Sequence, residues 1–141
     1  MTEEEKEFSA KFMEFEKQKF LKLFLLEKEF VINECKLLDS DDYPTHHALN
    51  LISNWHWSDS KGWFEFIKSI WWMPDWGWHE GDAKDEFDEN KTSYRYNIST
   101  GGWSGNESII DAMKKNTILW TTTWVQSRRG GHYIFELKEF E

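Results

Sequence analysis

A chain of 141 residues with 26 acidic and 17 basic side chains carries a net charge of −9. That balance argues against free nucleic acid as a partner of the whole molecule, because backbone binding rests on lysine and arginine releasing counterions. The length predicts one domain, 1–141, able to bury a core without staples, and the lone Cys35 excludes an internal disulfide and fits a reducing compartment.

No apolar run reaches the ~20 residues that span a bilayer. Residues 1–7 are too acidic for a secretory or transit signal, so a cytoplasmic protein away from membranes is expected.

Residues 3–38 read as helix, rich in Glu, Lys, Leu and Phe and free of Gly and Pro, with opposite charges at helical spacing such as Glu7 with Lys11 and Glu14 with Lys17. Phe8, Phe12 and Phe15 form a stripe. Between Phe20 and Leu26 apolar residues crowd all sides, which marks either a core anchor or a contact between copies of the chain, and a homo-oligomer through this helix is one of the partner expectations. Asp39 to Pro44 ends the helix. A second helix is predicted over 45–54 and a third from 59 or 61 to 70, with Ser58 as its cap and Phe64, Ile67 and Trp71 on one face.

The 71–80 stretch holds four tryptophans, and 81–91 is polar and acidic, read as an exposed loop. Tyr94, Tyr96 and Ile98 alternate as a strand should. Ser104 and Glu107 have capping-box spacing ahead of a helix over 106–115 that Asn116 ends in a left-handed stop. Residues 117–126, β-branched and aromatic, predict a second strand, and a turn at 127–131 leads to a third through Tyr133, Phe135 and Leu137. The expectation is therefore an α+β fold, a helical N-terminal half packed with a small C-terminal β-α-β-β sheet unit over 93–139. Its first crossover would be right-handed if its strands were parallel neighbours.

Charge is uneven along the chain, at −2 over 1–38, −8 over 39–92 and +1 over 93–141. The acidic middle would attract a basic protein surface. Ten tryptophans are too many to pack wholly inside a small domain, since each needs a partner for its indole N–H. Trp71, Trp72, Trp76 and Trp78, with Asp85, Glu86 and Asp88, form a candidate partner-binding surface. The competing reading has these aromatics covering the sheet.

The second candidate site is a glycine-rich corner. Gly101, Gly102, Trp103, Ser104, Gly105 and Asn106 offer backbone amides at a helix start, and Arg128, Arg129 and His132 could add a clamp for phosphate or carboxylate. The pattern is neither a phosphate loop nor a dinucleotide fingerprint, and the plainer reading is a tight turn beside a hairpin with solvated arginines. Ser104 or Ser127 with His132 is the nearest nucleophile and base combination. His46 and His47 diverge on a helix, and His79, Glu80 and Asp82 would need help from elsewhere to hold an ion, so neither a metal nor a cofactor is expected.

The blocks STGGWSGNE and SRRGGHY, 99–107 and 127–133, resemble those of a family of small tailed-bacteriophage and prophage proteins to which no activity is assigned. The resemblance covers about forty residues and transfers no catalytic residue. It implies a phage protein in the cytoplasm of a host bacterium, of the kind that acts by binding a host or defence-system protein. Binding a small phosphate or nucleotide ligand at the corner is the second reading. An enzyme on a phosphorylated or nucleic-acid substrate, with His132 as acid or base, is the third.

Overall fold

The computed structural model describes residues 1–138. It is an α+β fold in which helices α1 (Glu3–Glu34), α2 (His46–Asn54), α3 (Ser60–Ile70) and the single turn α4 (Pro74–Gly77) precede strands β1 (Trp78–Lys84) and β2 (Thr92–Ser99). Helices α5 (Ser104–Lys115) and α6 (Thr117–Thr123) follow, then the hairpin of β3 (Trp124–Arg128) and β4 (His132–Lys138). The sheet runs β1-β2-β4-β3, antiparallel throughout. Glu139, the last residue of the predicted sheet unit, lies outside the described residues.

Local chemistry sets the helix starts. Thr2 accepts the Glu5 amide through its hydroxyl, and Glu3, Glu4 and Glu5 sit favourably at the positive end of α1. Thr45 caps α2 by accepting the Ala48 amide at 3.3 Å. The cap of α3 is Asp59, which accepts the Gly62 amide at 3.1 Å, while the predicted cap Ser58 is bonded to the His56 ring. Helix α1 stops at Glu34, before residue 38, and the chain then turns about Asp39, whose carboxylate accepts the Asp41 and Tyr43 amides.

The core lies between one face of the sheet and the helices. Phe64 of α3 stacks on Tyr96 of β2 at 4.1 Å between ring centres and tilts against Phe135 of β4. Ile98, Ile109, Met113 and Leu119 close the layer. Helix α1 joins through Phe24, whose ring meets Trp55 edge-on at 5.1 Å, and through buried Val31. Of the crowded 20–26 stretch, Phe24 is buried and Leu21 packs half-buried against the core, while Phe20, Leu23, Leu25 and Leu26 are exposed.

Three predicted elements change. The strand predicted over 117–126 is helix α6 up to Thr123. Asn116 starts that helix by accepting the Leu119 amide, and its own amide group is tied to the carbonyls of Ile52 and Trp55. The Thr122 and Thr123 hydroxyls bond back to carbonyls one turn earlier, an outlet that lets threonine sit in a helix. Asn116 has φ −83° and ψ 82°, so it is no left-handed stop.

The acidic loop predicted over 81–91 begins as strand β1, paired with β2 from Trp78 opposite Ile98 to Lys84 opposite Thr92. The unit is therefore β-β-α-α-β-β. Strand β4 separates β2 from β3, so no parallel crossover exists. Finally, Trp103 precedes α5 without a side-chain cap. The capping box does not form, because the helix begins at Ser104 and the serine stands inside it, its hydroxyl bonded to the Tyr43 hydroxyl at 2.9 Å.

Candidate functional site

The two glycine-bearing corners meet at one end of the sheet. Ser99 is paired with His132, and the Thr100 amide donates to the Gly131 carbonyl at 3.0 Å, joining the turn after β2 to the β3–β4 turn. Gly101 and Gly102 have φ of 65° and 73°, a conformation that suits glycine. A Cβ on Gly131 would lie 2.3 Å from the Thr100 hydroxyl, so the close approach itself requires glycine there.

The corner has two sides, and the first is aromatic. Trp103 packs against Tyr43 at 4.7 Å and Trp72 at 5.1 Å between ring centres, and the Trp76 ring lies over Gly101. Tyr43, Trp72, Met73 and Trp76 are 38%, 41%, 53% and 61% exposed. Asn106, buried in the first turns of α5, fixes this side: its side-chain oxygen accepts the Trp72 amide and its NH₂ donates to the Trp72 carbonyl, both at 3.0 Å. Met73 holds a left-handed φ of 57° just before Pro74, a strained conformation in the turn that links Trp72 to Trp76.

The second side is polar. The Ser99 hydroxyl and His132 Nδ1 lie 2.6 Å apart, and Arg128 is paired with His132 across the hairpin. Arg128 Nε donates to the Gln126 side chain at 3.1 Å. Burial lowers the His132 pKa from its ordinary value, and the positive charge of Arg128 and the proximity of His79 lower it further. His79 in turn contacts the Trp76 carbonyl at 3.1 Å, so the polar and aromatic sides adjoin.

The ligand residues expected from the sequence therefore divide. Gly101, Gly102, Trp103, Arg128, Arg129 and His132 belong to one end of the sheet, with both arginines exposed. Asn106 and Gly105 are buried and Ser104 is bonded to Tyr43, so these three serve the scaffold and are not free to hold a ligand. The base His132 pairs with Ser99, not with Ser104 or Ser127; the Ser127 hydroxyl accepts the Trp124 indole N–H.

The expected partner surface is also split. Trp71 and Trp78 are buried, packed edge-to-face at 5.6 Å, and Trp78 meets Tyr96. They cover the sheet, whereas Trp72 and Trp76 are exposed. Asp85 is buried because its carboxylate accepts the Phe87 and Asp88 amides and shapes the β1–β2 connection. Glu86 is exposed but pairs with Arg95, and Asp88 is half-buried, so the acids do not join the tryptophans in one patch.

Sequence reasoning missed Tyr43, Met73, Ser99 and His79. The alternation of β2 could have placed Ser99 on the face of Asn97, but nothing local announces that Tyr43, 60 residues from Trp103, packs against it.

Elsewhere a cleft of about 630 Å³ lies between Trp57, Phe87, Ile118 and Trp124, with Lys138, the last described residue, at its wall. Among the described residues no cluster of His, Cys, Asp and Glu could hold a metal ion, and no helix is long and apolar enough to cross a membrane. The chain matches no family model, no curated protein and no solved structure.

Proposed function

We propose that the protein acts by binding a bacterial protein through the aromatic end of its sheet, as a phage accessory factor that inhibits or redirects its target. The observation that carries this reading is the exposure of Tyr43, Trp72, Met73 and Trp76 around Trp103. Tryptophan and tyrosine dominate binding hot spots, and Trp72, whose backbone is held by Asn106 and whose ring packs on Trp103, loses little freedom when a partner covers it. Asp41, Asp42 and Asp75, all exposed and adjacent in sequence to these residues, favour a partner with a basic rim. The resemblance of the glycine blocks to tailed-phage proteins supports a bacterial target of the host or defence class.

The test is capture from bacterial lysate by the full chain. A Trp72→Ala, Trp76→Ala variant with wild-type melting behaviour loses the captured protein, and Trp57→Ala, exposed outside the cluster, keeps it. Retention by the first variant removes the reading.

A second reading, a phosphate or nucleotide ligand at the polar side, is favoured by Ser99, His132 and Arg128 lying together. Calorimetric titration with inorganic phosphate and with nucleotides distinguishes it, since only this reading predicts heat that Arg128→Ala abolishes.

A further inference from the structure

Helix α1 carries two opposed apolar faces, and its own chain uses only one. At 100° per residue, Leu21, Phe24, Lys28 and Val31 share the side that packs on the body. Phe8, Phe12, Phe15, Leu23, Leu26 and Phe30 fall within about 80° of arc on the opposite side. All six are 53–70% exposed. This stripe runs about 33 Å along the helix. The first twenty residues of α1 contain no buried residue, although helices draw most of their stability from packing an apolar face.

We infer that this stripe seats the same stripe of a second copy, giving an antiparallel two-fold helix pair that lies away from the aromatic site. The stripe is symmetric about Lys19: turned end for end, Phe8 faces Phe30, Phe12 faces Leu26, and Phe15 faces Leu23. Every layer but the central one is then apolar against apolar. On one flank Lys11 meets Glu29 of the other copy, twice by symmetry, and the helix dipoles oppose. Lys19 meets its own equivalent at the two-fold axis, a polar layer that fixes register at a cost in affinity. The antiparallel pair also sets Glu5 by Glu34 of the other copy; a parallel pair would set Lys11 by Glu16 and Lys22 by Glu27, but it would align the two dipoles, place Glu3, Glu4 and Glu5 of both copies together and set Glu29 against Glu34. Because the body packs on the far side of α1, it does not obstruct the seam.

Sedimentation of the full chain over a concentration series tests this. A dimer with Kd at or below about 10 µM is expected. Phe12→Glu weakens it at least ~100-fold and Lys19→Leu tightens it ~10-fold, with tryptophan fluorescence of the body unchanged in both. In a Cys35→Ser background, copies bearing Phe15→Cys cross-link to copies bearing Leu23→Cys.

A monomer at every concentration overturns the inference, as does a dimer that Phe12→Glu leaves intact. Cross-linking of Phe15→Cys to itself in place of Leu23→Cys overturns the antiparallel seating.

Discussion

Replacing Asn106 by alanine tests whether α5 holds the aromatic side of the corner in place. The side chain is 1% exposed and makes three bonds: it accepts from the Trp72 amide at 3.0 Å and donates to the Trp72 carbonyl at 3.0 Å and to the Thr100 carbonyl at 3.4 Å. The Thr100 carbonyl keeps the Trp103 amide as a partner, so its loss is small. The two backbone groups of Trp72 are part-buried and lose their partner, at about 1 kcal/mol each, the low end for unsatisfied groups. Adding about 1 kcal/mol for the space vacated gives about 3 kcal/mol, or ~10 °C in Tm for a chain of this size.

Urea unfolding followed by far-UV dichroism measures the loss, with Ser108→Ala as a control, because that hydroxyl makes only an exposed bond to the Ser104 carbonyl. The control should stay within about 0.5 kcal/mol. Indole fluorescence should also change as Trp72 is freed from Trp103. An Asn106→Ala protein as stable as the control would refute the assignment of Asn106 to the scaffold and return it to the ligand-binding residues.

Further outcomes follow from the same structure. Glu136, 3% exposed, is bonded by Arg95 and also accepts the Glu86 amide, so Arg95→Met leaves a buried carboxylate without its cation and costs about 3 kcal/mol in urea unfolding, whereas Glu86→Gln, on the exposed side of the same arginine, costs under ~1 kcal/mol. His132 has a lowered folded pKa, so below pH ~6.5 the unfolded chain binds a proton that the folded chain refuses, and stability falls as pH drops through that window; His56, lowered by burial and by Lys17, acts in the same direction. Arg128→Ala should raise the His132 pKa toward its ordinary value in an NMR titration, and no upward movement would contradict the packing of that hairpin. Gly131→Ala should cost about 2 kcal/mol through its φ of 80° and its contact with Thr100, while Gly81→Ala, with open space around it, should be near neutral.

Much of this molecule is legible in its residues, and the failures have physical causes. The first three helices announce themselves by composition and by breakers, and β2 by alternation. The convergence of the two glycine corners follows because Ser99 and the 127–131 turn end neighbouring strands. Strand β1 was hidden because it is an edge strand carrying His79, Glu80, Asp82 and Lys84, charges that suit an exposed edge but erase the apolar alternation.

Helix α6 was hidden because Thr117–Thr123 has strand-like composition, which the Asn116 tether to residues 52 and 55, the back-bonded threonines and the packing of Trp120 on Phe135 override. The tryptophans could be counted but not sorted. Trp71 and Trp72 are neighbours, yet the first faces Trp78 in the core and the second faces Trp103 at the surface, a choice made by Asn106 from 34 residues away.

The most direct test of the central claim is quantitative capture from bacterial lysate with three stability-matched proteins: wild type, Trp72→Ala with Trp76→Ala, and Trp57→Ala with Trp124→Ala. The aromatic-corner reading predicts a captured protein lost with the first pair and kept with the second. The same protein recovered equally by all three, or lost only with the second pair, would contradict it.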